Sequence, residues 1–259
     1  MICILTHLSL FSGIGGIDLA AEWAGFEVVG QVEWDEFCRQ VLEKHWPDVP
    51  KWRDICEFTG EQFRGETGIQ KPDLISGGFP CQPYSIAGER KGEKDDRHLW
   101  PEMFRVISEL RPTWVLGENV AHFKNMGLDQ ALSDLEGEGY ATRTFDIPAM
   151  AVDAEHKRHR LFIVAHAGSF GSRGRGKTQC GAEQRDLVQG KQKRREVWSE
   201  TARRIIRSLS TQKTLPRYLR SDYGFSDWVD RVKSLGNAVV PQQVYPILKA
   251  IALIEGGQQ

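Results

Sequence analysis

Residues 4–25 read ILTHLSLFSGIGGIDLAAEWAG, and this stretch decides the fold class. Ile4 to Leu10 is a short apolar run of strand length. It ends in FSGIGG, where Gly13, Gly15 and Gly16 let the backbone come close to a ligand or to a neighbouring element. From Ile17 to Ala24 apolar residues recur at helical spacing, and Gly25 supplies the stop. Strand, glycine turn and helix in that order open an α/β sheet. The alternation continues outward through residue 166. FEVVGQVEW (26–34) is β-branched and strand-like, and DEFCRQVLEKHW (35–46) is amphipathic and helical, with Asp35 in its first turn and Pro47 beyond it. DLISGG, TWVLGEN, YATRTFDI and RLFIVAHA read as strands; LWPEMFRVISELR and LDQALSDLEGEG read as helices. The order predicts a mostly parallel sheet covered by helices on both faces.

Composition limits the alternatives. The chain has 259 residues, 40% of them hydrophobic, which suits one large α/β domain or one domain with a small appendage. Lys and Arg number 34 against 35 Asp and Glu, so net charge points to no partner, but the distribution does. Between Gly168 and Asp222 there are 14 Lys and Arg against 5 Asp and Glu. Such a run is either a solvated insert or a phosphate-contacting surface. Beyond it, PQQVYPILKAIALIE (241–255) returns to helical apolar spacing, so the basic segment interrupts one core. The cysteines, Cys3, Cys38, Cys56, Cys81 and Cys180, are odd in number and widely spaced. That argues against a disulfide framework or a zinc site and for a reducing, cytoplasmic setting. MICILTHLSLF carries no basic leader and reads as a first strand, and no apolar run reaches the roughly 18 residues of a membrane span.

Three stretches carry chemistry. Glu33 closes the second strand 18 residues after Gly15, where an acid can accept from ribose hydroxyls. Position 18 is Asp, so the turn departs from the G-x-G-x-x-G pattern, and such a turn can equally just pack helix on strand. GGFPCQPYS (77–85) holds Cys81 between Pro80 and Pro83 at the end of a strand, and Glu118 ends the next strand. A thiol and a carboxyl from neighbouring strand ends can converge on one substrate; a loop cysteine and a solvated glutamate are the plain alternative. HKRHRLFIVA puts Arg158 and Arg160 two apart, on the same side of an extended chain. They serve either strand-end solubility or an anionic reaction centre.

Taken together, LSLFSGIGGIDLAAEWAGFEVVGQVEWD, GGFPCQPYSIAGERKGEKDDR, GENV, HKRHRLFIVA and LGNAVVPQ resemble the DNA (cytosine-5)-methyltransferase family, in the family's order and across nearly the whole chain outside 168–222. The resemblance implies a Rossmann-like, mostly parallel seven-stranded sheet. It also implies a discontinuous catalytic domain, 1–166 and 225–259, around a short basic target-recognition region, 167–224. It implies methyl transfer from S-adenosylmethionine, leaving S-adenosylhomocysteine, to C5 of a cytosine flipped out of duplex DNA. Cys81 is then the nucleophile, with Glu118, Arg158 and Arg160 beside the reacting base. Phe11, Ser12, Gly13, Gly15, Gly16, Glu33, Trp34, Asp54, Ile55, Pro80, Leu99, Asn237 and Val239 are implied at the cofactor. Gln82, Ser85 and Arg97 are implied at the DNA. His156 stands where the family has Gln, and RSDYGFSDWVDRVKSLGN stands where the family has an Arg-rich stretch before GNAVV. The implied partners are duplex DNA and a cognate restriction endonuclease, with no metal, no membrane and a monomeric state. One branch of the same family, with a reduced recognition region, methylates transfer RNA, and a catalytically dead DNA-binding relative is the reading of a different class.

Overall fold

The structure, a computed structural model, describes residues 4–80, 99–148, 159–168 and 238–256. Seven strands form one sheet: β1 (Leu5–Leu10), β2 (Phe26–Val32), β3 (Lys51–Trp52), β4 (Leu74–Gly77), β5 (Trp114–Val120), β6 (Tyr140–Pro148) and β7 (His159–Ala167). Their spatial order is β3-β2-β1-β4-β5-β7-β6. Pairing is parallel from β3 through β5, while β7 runs antiparallel to both β5 and β6. The alternation expected from sequence therefore holds up to β6. The last strand reverses and inserts between its predecessors.

The described helices are α1 (Gly16–Ala24), α2 (Glu36–His45), α3 (Gly60–Thr67), α4 (Trp100–Leu110), α5 (Leu128–Gly137) and α6 (Pro241–Gly256), with a 3₁₀ turn at Ala121–Asn125. Caps explain most of the boundaries. Asp35 accepts from the Cys38 N–H at 3.1 Å and starts α2. Gly25, at φ 101°, ends α1 in the left-handed conformation. Helix α3 begins with a capping box between Thr59 and Gln62.

Two apolar layers sandwich the sheet. One holds Leu8, Leu10, Ile75, Val115 and Ile163 against Met103, Val106 and Ile107 of α4 and Leu135 of α5. On the other face, Leu74, Trp114, Leu116 and Phe162 meet Ile17, Ala20 and Ala21 of α1 and Val244, Leu248 and Ile251 of α6. The alanines on the inner face of α1 let it lie close to both the sheet and α6. Leu8, Ile107 and Leu248 are fully buried, each contributing about 1.5–3 kcal/mol of transfer free energy. Among the described residues, no helix is long and apolar enough to cross a membrane.

Candidate active site

The glycine turn after β1 is held in place by its neighbours. Phe11 adopts φ 53°, a left-handed conformation that costs a non-glycine residue roughly 1 kcal/mol or more. The strain persists because Ser12 is anchored on both sides. Its N–H donates to the Val32 carbonyl at 3.1 Å and its hydroxyl to the Ser9 carbonyl at 3.1 Å. Gly13 follows at φ 55° and donates its N–H to Glu33 Oε2 at 2.7 Å. The Asp35 N–H donates to Glu33 Oε1 at 2.8 Å. Both oxygens of Glu33 are thus fixed by backbone donors, and each keeps lone-pair capacity for a hydroxyl. Burial pushes the Glu33 carboxyl above its ordinary range, and the two N–H groups pull it back.

Gly15 and Gly16 serve packing. A Cβ on Gly15 would lie 2.4 Å from the Trp46 ring, so this glycine admits the end of α2, and it does not line the cleft. On Gly16 a Cβ would sit 2.5 Å from the Val239 carbonyl oxygen. The chain leading into α6 therefore crosses directly over the start of α1, which places Val239 at the cleft.

A polar seam lies beneath the turn. Ser9 and Ser76 pair across β1 and β4, and Ser9 and Gln31 across β1 and β2. Asp18, fully buried in the first turn of α1, accepts from Ser9 Oγ at 2.9 Å and Gln31 Nε2 at 2.8 Å. The residue that breaks the G-x-G-x-x-G pattern thus ties α1 to both strands. Burial raises its pKa to about 6, against the opposing pull of Gln31 and Ser9. His7, also fully buried, shares a 2.7 Å hydrogen bond with Ser76, and burial lowers its pKa to about 3.

One wall is built by β2 and β3. Glu33 donates its N–H to the Trp52 carbonyl at 3.0 Å, so the residues just beyond this pairing, Trp34 and Arg53, stand side by side. Asp54 follows, accepting the Cys56 N–H on Oδ1 at 2.8 Å. Arg105 of α4 clamps the same loop, donating to the Ile55 carbonyl at 2.7 Å and the Phe58 carbonyl at 2.8 Å.

The floor comes from β4, β5 and β7. Because β7 is antiparallel, its first residues lie at the carboxyl edge of β5, with Arg160 opposite Val120. Glu118 and Val120 share a face, and Arg160 Nε reaches Glu118 Oε1 at 2.6 Å. Glu118 is buried. Gly78 makes room for it, since a Cβ there would be 3.1 Å from Glu118 Oε2. The next residue of β5, Asn119, donates to the Phe79 carbonyl at 3.0 Å, and the Phe79 ring is wedged against Trp100 and Phe123 at 5.1 and 5.2 Å. The backbone is therefore pinned just before Pro80.

These parts enclose a cleft of about 410 Å³. Of the expected residues, Phe11, Ser12, Gly13, Gly16, Glu33, Trp34, Asp54, Ile55, Pro80, Leu99, Glu118 and Val239 line it, and Arg160 joins through Glu118. Cys81, Gln82, Ser85, Arg97, Arg158 and Asn237 lie outside the described residues. Sequence reasoning passed over Arg53, Phe79, Asn119 and Arg105. Asn119 had a signal, its place beside Glu118 in GENV. Arg53 and Arg105 had none, because their positions depend on the β2–β3 pairing and on α4. The cleft suits a nucleoside: it offers a fixed carboxylate for vicinal hydroxyls and the Phe11 and Trp34 rings for a base.

Comparison with known proteins bears on the family. The model of the C-5 cytosine-specific DNA methylase family matches residues 5–235. Type II methyltransferase M.HhaI of Haemophilus parahaemolyticus is 30% identical over 165 residues, covering 62% of this chain and 48% of its own. M.FnuDI of Fusobacterium nucleatum is 34% identical over 162 residues, covering 61% and 45%. The chain thus spans about half the length of the curated relatives it matches. Among solved structures, a DNA modification methyltransferase encoded within an E. coli prophage superposes with a TM-score of 0.54 at 29% identity, covering 62% of this chain and 46% of that one. The S. pombe Dnmt2 methyltransferase shares the fold, with a TM-score of 0.52 at 18% identity over 69% of this chain and 52% of its own. With the match running from β1 past β7, and with the glycine turn, Glu33 and Glu118 meeting in one cleft, this chain belongs to the C-5 cytosine-specific DNA methylase family.

Proposed function

We propose that the chain methylates C5 of a cytosine flipped out of duplex DNA, through a covalent bond between Cys81 and the base. The observation that carries this reading is the ion pair of buried Glu118 with Arg160, 2.6 Å apart, at the floor of the cleft that Glu33 and the glycine turn also line. The Cys81 thiolate attacks C6 of the ring. A free thiol is only a few per cent ionised at neutral pH, so positive charge near it favours the reactive form, a part this reading gives to Arg160 and Arg158. Glu118 holds N3 and the exocyclic amine, which keeps negative charge from building up on the ring as C5 becomes nucleophilic. S-adenosylmethionine, when bound, supplies the methyl group. Loss of the C5 proton then restores the double bond and expels the Cys81 thiolate.

In the same reading, Glu33 accepts from the ribose hydroxyls, Phe11 and Trp34 flank the purine, and Asp54, Ile55, Leu99, Asn237 and Val239 complete that pocket. Gln82, Ser85 and Arg97 face the DNA. Residues 167–224 form the target-recognition region, inserted between the two parts of a cytoplasmic catalytic domain, and a cognate restriction endonuclease reads the same site. Bisulfite sequencing of duplex DNA incubated with protein and S-adenosylmethionine tests the activity. Cytosines protected in one sequence context are expected. Protection in none, or methyl transfer to transfer RNA alone, overturns it.

A further inference from the structure

We propose that Arg53 is a positioning residue for the purine end of the cofactor, acting through the indole of Trp34; the proposal rests on the cofactor reading above. Trp34 is 61% exposed, an unusual state for a large aromatic ring at the rim of a cleft. The Arg53 guanidinium lies over this ring, 4.7 Å from its centroid. Both residues line the cleft.

Their proximity is set by backbone. Val32 pairs with Trp52, and the Glu33 N–H donates to the Trp52 carbonyl at 3.0 Å. The chain then emerges from both strands at the same level, with Trp34 and Arg53 as the next residues. The guanidinium therefore covers one face of the indole, and the other face stays open for a flat, π-rich ligand such as an adenine. A planar guanidinium stacks on an aromatic ring where a lysine ammonium cannot.

The energetic role is preorganisation. An exposed tryptophan that must be immobilised on binding loses rotamer freedom at that moment, and a ring already held by Arg53 has lost it beforehand. Fixed backbone partners already serve Glu33; Arg53 does the same for the ring.

Isothermal titration of the full chain with S-adenosylhomocysteine and with adenosine tests this. Arg53→Ala is expected to weaken both probes by roughly threefold to tenfold, with no change in melting temperature, because Arg53 is exposed. Arg53→Lys recovers part of the loss. In a Trp34→Ala background Arg53→Ala has no further effect, since the two act as one unit. Unchanged binding in Arg53→Ala overturns the proposal. So does a loss confined to S-adenosylhomocysteine, which would place Arg53 at the amino-acid end, and so does full additivity with Trp34→Ala. A wild-type chain that binds neither probe overturns the cofactor reading itself, and the proposal falls with it.

Discussion

Exchanging one oxygen of Glu118 for an amide nitrogen separates its charge from its shape. Glu118→Gln preserves volume, but it faces the Arg160 guanidinium, 2.6 Å away in the native pair, without a negative charge. If Glu118 holds the ring during attack, methyl transfer falls by a factor on the order of 10²–10⁴, the usual range for a positioned acid or base. Binding of S-adenosylhomocysteine is expected to persist, because the proposed reading gives the ribose to Glu33 and not to Glu118. Tritium transfer from labelled cofactor and calorimetry read the two quantities separately; equal losses in both would mean that Glu118 supports the cofactor pocket. Cys81→Ala is expected to abolish turnover while cofactor binding survives, and any retained turnover excludes it as nucleophile. Trapping on 5-fluorocytosine DNA supplies the positive counterpart: a covalent complex with the native chain and none with Cys81→Ala.

At the level of elements, the glycine turn makes an ordered prediction. Gly15 stands at φ 84° with the Trp46 ring 2.4 Å from any added Cβ, whereas Gly13, at φ 55°, would meet nothing within 4 Å. Gly13→Ala therefore carries only backbone strain, about 1 kcal/mol. Gly15→Ala adds a clash that the end of α2 must relieve, for a total of about 2–4 kcal/mol. Urea midpoints of the two variants rank them, and the reverse order would mean that the turn relaxes freely. The same elements show what could be read in advance. Helix α1 was legible at both ends, because FSGIGG and Gly25 bracket a clear apolar period. Glu33 was legible because it closes a β-branched run, and Glu118 through its place late in TWVLGEN, although β5 runs on past it to Val120. Helix α3 was not: of GEQFRGET only Gly60 and Phe63 are buried, so it has almost no apolar period, and the Thr59–Gln62 capping box was its one signal. Strand β3 is two residues long, below what any periodicity can register, and with it Arg53 was lost. The reversed direction of β7 was equally hidden, because alternation along a strand is the same in both directions. Yet that reversal is what brings Arg160 to Glu118.

Across the whole molecule, the seam of polar groups beneath the cleft sets opposing pH dependences. His7 is held neutral, its pKa lowered from 6.5 to about 3. Protons therefore bind the unfolded chain more readily, and stability is lost as pH falls from 6.5 toward 3, by up to about 5 kcal/mol. Asp18 has the opposite sign. Its pKa is raised from 3.8 to about 6, so the folded chain holds the proton more tightly. Its contribution is fully present below 3.8 and is lost as pH rises through 6, on the order of 3 kcal/mol in all. Between pH 4 and 6 the two slopes cancel. Asp18→Asn removes one of them: the amide oxygen still accepts from Gln31, and the Ser9 hydroxyl can rotate to accept from the amide nitrogen. The variant should then lose stability on acidification from pH 6 to 4 more steeply than the native chain, by about 1.4 kcal/mol per pH unit at most. Urea midpoints at several pH values give both curves. Parallel curves would show that Asp18 is already ionised throughout this range, with the Ser9 and Gln31 hydrogen bonds outweighing its burial.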